Sequence, residues 1–199
     1  MKTATVLFAS IFLISLTNCK PGPAGTVEAK AITADSGSVK EEPYKAYFDF
    51  DEIVHYSTDI PHYKVFVADS VEDKTKEQKR KLDLLKNYHD SVLDTVVAAN
   101  LESLNFKRSA VPFNKFAAIS EIFSERKDDS TGIVSCIPIF RDILIFKKCN
   151  KTIGLAKICF SCGQNVIMGT ECDVSTFGQA QGYSKLHTIL YGPNKKVMH

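Results

Sequence analysis

The 199-residue sequence has no tryptophan, almost no excess of charge and no apolar run long enough to span a membrane. Lys and Arg (25) nearly balance Asp and Glu (23), so the net charge of +2 gives no reason to expect a nucleic-acid partner. The sequence also lacks the nucleophile-elbow, zinc-protease, phosphate-loop and dinucleotide-glycine motifs. With no catalytic constellation to name, we expect a non-catalytic protein rather than an enzyme.

The first eighteen residues have the layout of an export signal. Residues 1–3 carry one positive charge and precede the uncharged run 4–16 (ATVLFASIFLISL). This run has the length of a signal-peptide core, roughly 7–15 residues, whereas a membrane-spanning helix needs about 20. A cytosolic surface helix would present a polar face, which this run does not. We therefore predict a signal peptide over residues 1–18.

The tetrapeptide Leu16-Thr17-Asn18-Cys19 resembles the lipobox of bacterial lipoproteins. In that family Leu is favoured three residues before the cysteine; Leu16 and Thr17 fit the pattern, and Asn18 stands where Gly, Ala or Ser is usual. The resemblance covers the N-terminus alone. It implies that Cys19 carries diacylglycerol and palmitate chains, which anchor the protein in the bacterial cell envelope at the outer membrane or periplasmic face. The alternative is an ordinary cleaved signal peptide, with Cys19 lost or kept as a free thiol.

The segment that follows has the composition of a flexible tether. Residues 20–42 (KPGPAGTVEAKAITADSGSVKEE) are rich in Pro, Gly, Ala and Ser and contain no aromatic side chain. Such a segment cannot bury enough apolar surface to fold, so we predict a disordered spacer after the lipidated cysteine, over residues 19–42. Residues 43–199 then have the length of a single domain.

The first half of this domain mixes strand and helix patterns. Residues 44–56 and 62–67 are rich in aromatic and β-branched residues and predict two strands. Residues 70–87 are highly charged and predict a solvated helix face. An apolar stripe with helical spacing runs from Leu85 to Leu104 and predicts a helix that packs on a sheet.

The second half predicts a meander of short antiparallel strands between two helices. Residues 113–126 predict a helix, residues 183–190 predict another, and Gly192-Pro193 ends the second one. Between them, turn residues separate three apolar runs, which we predict as strands: 142–146, 153–160 and 166–169. Helices and antiparallel strands without βαβ alternation indicate an α+β fold, a short β-meander packed with helices.

The cysteines are the most pointed chemical feature of the domain. Apart from Cys19, all the cysteines lie in the last third of the chain: Cys136, Cys149, Cys159, Cys162 and Cys172. An exported protein meets an oxidising compartment in which disulfides form. Because five is an odd number, at least one thiol stays free or pairs outside this set. The last four are symmetric, with nine residues on either side of a Cys-x-x-Cys, which leaves Cys136 as the outlier.

Cys159 and Cys162, the Cys-x-x-Cys pair, have three interpretations. They are structural thiols or disulfides, a redox dithiol, or half of a zinc site. Zinc would need two further ligands, from Cys136, Cys149, Cys172 or His187. A redox dithiol normally lies at a helix N-terminus, and here a β pattern precedes the motif. We expect surface or capping roles for the histidines, which are isolated (His55, His62, His89 and His187) or terminal (His199).

These observations favour a membrane-anchored envelope lipoprotein that acts by binding a protein partner. The alternative is a thiol redox or metal-binding envelope protein that uses Cys159 and Cys162.

Overall fold

The computed structural model describes residues 45–86, 100–126, 136–179 and 181–197. Five strands form one sheet: β1 (Glu52–Ser57), β2 (Lys107–Ala110), β3 (Asp142–Lys148), β4 (Lys151–Cys159) and β5 (Gln164–Met168). Four α-helices lie within these ranges: α1 (His62–Ser70), α2 (Lys76–Lys86), α3 (Phe116–Ile122), preceded by the 3-10 turn Phe113–Lys115, and α4 (Gly182–Tyr191). The predicted signal peptide and tether lie outside the described residues.

The sheet is antiparallel throughout, in the order β2-β1-β3-β4-β5. Strands β3, β4 and β5 follow one another as the meander that the sequence predicts, while β1 pairs with β3 on its other side. The predicted fold class, an α+β domain with a short antiparallel meander packed with helices, is confirmed.

Helices cover both faces of the sheet, because the strands β1, β3 and β4 carry apolar side chains on both sides. One face packs against α1 and α2, and its core contains Val54, Val65, Leu82, Leu84, Leu85, Ile143, Ile145 and Leu155. The other face packs against α3 and α4, and its core contains Ile53, Ile119, Ile122, Leu144, Phe146, Ala156, Ile158 and Leu186. Both sides of the central strand β3 are therefore removed from water.

Local signals fix the element ends. At the start of α2, the Thr75 hydroxyl accepts a hydrogen bond from the Gln78 N–H (3.2 Å), and the Gln78 side chain accepts one from the Thr75 N–H (2.8 Å). This reciprocal capping box satisfies two amide donors at the helix start. Between β3 and β4, Cys149 and Asn150 both have positive φ (49° and 64°), as a two-residue type I′ hairpin turn requires.

An aromatic cluster packs over the α3/α4 face at the start of the domain. The Phe48 ring stacks on Phe146 at 4.5 Å between centroids, and Phe123 lies 4.9 Å from Phe146. The Phe48 ring lies directly over the backbone of Gly154 on β4. Only a residue without a Cβ allows this approach.

Residues 62–67 form the first part of helix α1, so the predicted strand there is wrong. The aromatic and β-branched residues of HYKVFV suggested a strand, but the helix puts Val65 and Ala68 on one side, three residues apart, against the α1/α2 core. Pro61 precedes the helix with φ of −65°, which proline adopts without cost at that position.

Two further predictions need correction. The predicted strand 44–56 is a strand only from Glu52 onward, because the aromatic side chains before it fill the cluster around Phe48. The predicted helix that ends at Leu104 falls largely on residues 87–99, outside the described residues; at its end, residues 101–105 form a turn that buries Leu101 and Leu104. Strand β2 was missed, since all four of its residues are exposed at the sheet edge and show no apolar alternation.

We predict that Gly154→Ala destabilises the protein by about 1–3 kcal/mol, because overpacking of a filled core costs that much. A Cβ at this position would lie 2.7 Å from Cζ of Phe48, a ring held between Phe123 and Phe146. Gly182→Ala is the matched control, since a Cβ there would meet only Ile122 at an ordinary 3.9 Å. Urea unfolding of both variants measures the difference, and equal stabilities would contradict the packing described here.

Candidate functional site

A disulfide between two described residues joins the outlier of the cysteine pattern to the Cys-x-x-Cys motif. Cys136 and Cys162 are bonded, with their Cα atoms 6.0 Å apart, a separation usual for a disulfide. Cys136 is exposed, whereas Cys162 is buried in the turn between β4 and β5. The four symmetrically spaced cysteines therefore do not form one site, because one of them, Cys162, is bonded to Cys136, which lies outside the symmetric set.

The other predicted cysteines are not part of this bond. Cys159 ends β4 as a buried free thiol, and Cys172 is a half-buried free thiol whose Sγ lies 3.7 Å from the carbonyl of Ala46. Cys149 is exposed at the β3–β4 turn. Cys19 lies outside the described residues.

The described residues do not assemble the ligands that a zinc site needs. Zinc would bind Cys159 and Cys162 as two thiolates, but Cys162 is already in a disulfide. Across the described ranges, no group of three His, Cys, Asp or Glu side chains is placed to hold a metal ion. His187 packs instead between aromatic rings, 5.0 Å from both Phe160 and Tyr191.

An exposed apolar surface lies beside the disulfide. Helix α1 buries only Val65 completely, while Tyr63 and Val67 are 64% and 62% exposed. Phe66 on the same helix contacts the His62 ring at 4.9 Å, and His62 faces Ile137, itself 60% exposed, across a groove of about 340 Å³. We call these four apolar side chains the α1 patch: Tyr63, Phe66, Val67 and Ile137.

A buried polar cluster lies under α4, and sequence reasoning missed it. His55 is 3% exposed, and its Nε2 lies 2.8 Å from Oδ1 of Asp142 on the neighbouring strand. The Tyr191 hydroxyl donates a hydrogen bond to the same oxygen. The surface role expected for His55 is therefore wrong. The period-two alternation of β1, which turns His55 toward α4, was the available signal.

Ser109 on β2, His55 on β1 and Asp142 on β3 follow one another in the order of a Ser–His–Asp triad. Its Oγ lies 3.4 Å from Nδ1 of His55 and equally 3.4 Å from the His55 carbonyl oxygen. The cavity on the other side of Asp142 has a volume of about 30 Å³, room for about two water molecules and far less than a substrate needs. The contacts among Ser109, His55, Asp142 and Tyr191 therefore have a structural role, because they connect the three strands β1, β2 and β3 with helix α4.

Burial keeps the Tyr191 hydroxyl and the neighbouring His187 imidazole in their neutral forms. Burial, reinforced by the negative charge of Asp142, raises the pKa of Tyr191. Burial lowers the pKa of His187. Lys195 closes the cavity from outside, with its Nζ 3.9 Å from the centroid of the Tyr191 ring. Tyr191 therefore remains a hydrogen-bond donor to Asp142 at physiological pH.

Lys157 is a second buried titratable group, on the opposite face of the sheet. Its side chain is completely buried in β4, with Nζ 4.7 Å from the centroid of the Phe140 ring. Burial lowers the pKa of Lys157 to about 8, while the Asp83 carboxylate favours the charged form. Asp83 itself is exposed on α2.

Comparison with known proteins identifies no relative: the chain matches no family model, no curated protein and no solved structure. Within the described ranges, no helix is long and apolar enough to cross a membrane. Any functional assignment therefore depends on the sequence signals and on the surfaces described above.

We predict that Lys157→Met stabilises the protein at pH 7. Burying the charged amine costs up to about 3 kcal/mol for a pKa lowered from 10.5 to about 8, and Asp83 stays solvated after the substitution. The unfolded chain holds this proton up to pH 10.5, so the stability of the native protein rises between pH 8 and 10.5. The advantage of the variant should therefore shrink as the pH rises through this window.

Urea unfolding at neutral and alkaline pH, with Cys159 and Cys172 replaced by serine in every variant, measures this difference. Lys151→Met is the matched control, because Lys151 is exposed on the same strand. A stability difference for Lys157→Met that is the same on both sides of pH 8 would contradict the prediction.

Proposed function

We propose that this protein is an exported, lipid-anchored lipoprotein of the bacterial envelope whose domain acts by binding another protein at the α1 patch. Two features support the anchor. The segment 1–19 combines a signal-peptide core with the lipobox-like Leu16-Thr17-Asn18-Cys19, and the polar tether 20–42 separates this cysteine from the first described residues. Attachment by two or more acyl chains needs no membrane-spanning helix.

The α1 patch is the observation that supports binding. Three of its large apolar side chains lie next to one another on the surface of one nine-residue helix. Ile137 continues this apolar surface on the other side of the groove. Aromatic and aliphatic side chains grouped at the surface are typical of protein interfaces, where such residues contribute most of the binding energy.

The occupant we assign to the α1 patch is a protein surface with apolar side chains. Glu72 and Asp73, both exposed, come two and three residues after the helix, and they offset the two lysines that follow, so no excess of positive charge attracts an anionic lipid surface. Helix α1 also lacks the basic polar face of membrane-surface helices, since its one Lys is balanced by Asp69. A protein partner accommodates both features, with an apolar centre and a polar rim.

Site-specific photocrosslinking in the intact envelope tests the binding site. A photoreactive residue at Tyr63 in the full-length chain should give one discrete adduct, and Val67→Asp in the same chain should abolish it. Val67 is 62% exposed, so this substitution should change the stability by no more than about 0.5 kcal/mol.

The matched control is a photoreactive residue at Phe113, which is 77% exposed and begins the turn before α3. That position should give no such adduct. Equal adducts from both positions, or an adduct at Tyr63 that survives Val67→Asp, would overturn the assignment of the α1 patch.

A further inference from the structure

The free thiol of Cys159 lies against the disulfide described above. Cys159, Cys162 and Phe140 form one packed buried cluster. The Cys159 Sγ accepts a hydrogen bond from the Ile139 N–H at 3.4 Å, and the Cys162 Sγ lies 3.6 Å from the Ile137 carbonyl oxygen. Both sulfurs therefore contact the same short backbone segment that continues from Cys136.

The hairpin geometry also brings Cys159 and Cys162 together. Cys159 pairs with Gln164 as the last rung of the β4–β5 ladder, and residues 160–163 form the turn between them. A cysteine at the end of the strand and another three residues later in the turn lie within the Cα range that a disulfide bridges.

We propose that Cys136, Cys159 and Cys162 form a thiol–disulfide exchange switch that releases the Cys136 thiol at the protein surface. The thiolate of Cys159 attacks the Sγ of Cys162. The bond between Cys159 and Cys162 forms while the bond between Cys162 and Cys136 breaks, and Cys136 leaves as a thiolate. The proton lost by Cys159 is taken up by Cys136 through solvent. One disulfide replaces another, so no oxidant or reductant is consumed.

The leaving group of this exchange, the Cys136 sulfur, belongs to a residue that is open to solvent. Cys136 is exposed, and it lines the groove of about 340 Å³ together with His62, Ile137 and Ser161. Release of Cys136 also removes the covalent link that fixes the neighbouring Ile137, a member of the α1 patch. The disulfide exchange in the turn therefore affects the neighbouring surface of α1. It is a property of this chain alone and does not require the proposed partner.

Alkylation of the native, full-length protein tests the switch. The protein is kept at mildly alkaline pH without reductant in the presence of N-ethylmaleimide, and samples are quenched with acid and digested for mass spectrometry. Alkylated Cys136 should accumulate with time, in molecules that also contain a Cys159–Cys162 disulfide, because alkylation traps the minor isomer. A Cys136–Cys162 bond that persists while N-ethylmaleimide reacts only at Cys159 or Cys172 would overturn the proposal.

Three variants separate exchange from general instability. Cys159→Ser keeps the disulfide of Cys162 and should abolish alkylation of Cys136, whereas Cys172→Ser removes the other free thiol and should leave it unchanged. Cys136→Ser, treated with oxidised glutathione, should form the Cys159–Cys162 bond and lose two hydrogen atoms in mass. Two free thiols at these positions in the treated variant would overturn the proposed geometry.

Discussion

The burial of the sheet on both faces is the constraint on which the rest of this structure depends. Strand β3 lies in the middle of five strands, and its side chains are buried on the α1/α2 side as well as on the α3/α4 side. Antiparallel sheets often leave one face to water, and this one does not. Two helix pairs are needed to cover it, and most large apolar side chains of the described domain are used for that purpose.

This constraint limits where the domain can act. The polar cluster of His55, Asp142 and Tyr191 is buried under α4, beside a cavity of only about 30 Å³. Lys157 is enclosed on the opposite face. The accessible features are on the outside, where the α1 patch and the disulfide share one groove. The proposed binding of a protein partner depends on these accessible features.

Sequence patterns predicted the elements that turn residues separate clearly. The strands of the meander were identified as apolar runs between turn residues, and Gly192 ends α4 as expected. Strand β2 gave no signal because its exposed edge needs no apolar residues. Helix α1 resembled a strand because its first residues are rich in aromatic and β-branched side chains. Two of these, Tyr63 and Val67, are exposed and do not contribute to the core.

The site residues were harder to predict than the fold because they depend on contacts between distant segments. His55 and Asp142 are 87 residues apart, and only the pairing of β1 with β3 brings them together. Spacing singled out Cys149, Cys159, Cys162 and Cys172 as a set, whereas the bond to Cys136 follows from where the chain enters β3. Neither relation is encoded in a local motif.

The attachment of acyl chains to Cys19 is the central claim of this account. Mass spectrometry of the N-terminal peptide, from protein isolated from its native envelope, tests it directly. The account predicts a peptide that begins at Cys19 and carries a diacylglyceryl thioether that reductant does not remove. An intact Met1, an N-terminus beyond residue 19, or a Cys19 sulfur that becomes open to alkylation after reduction would contradict it.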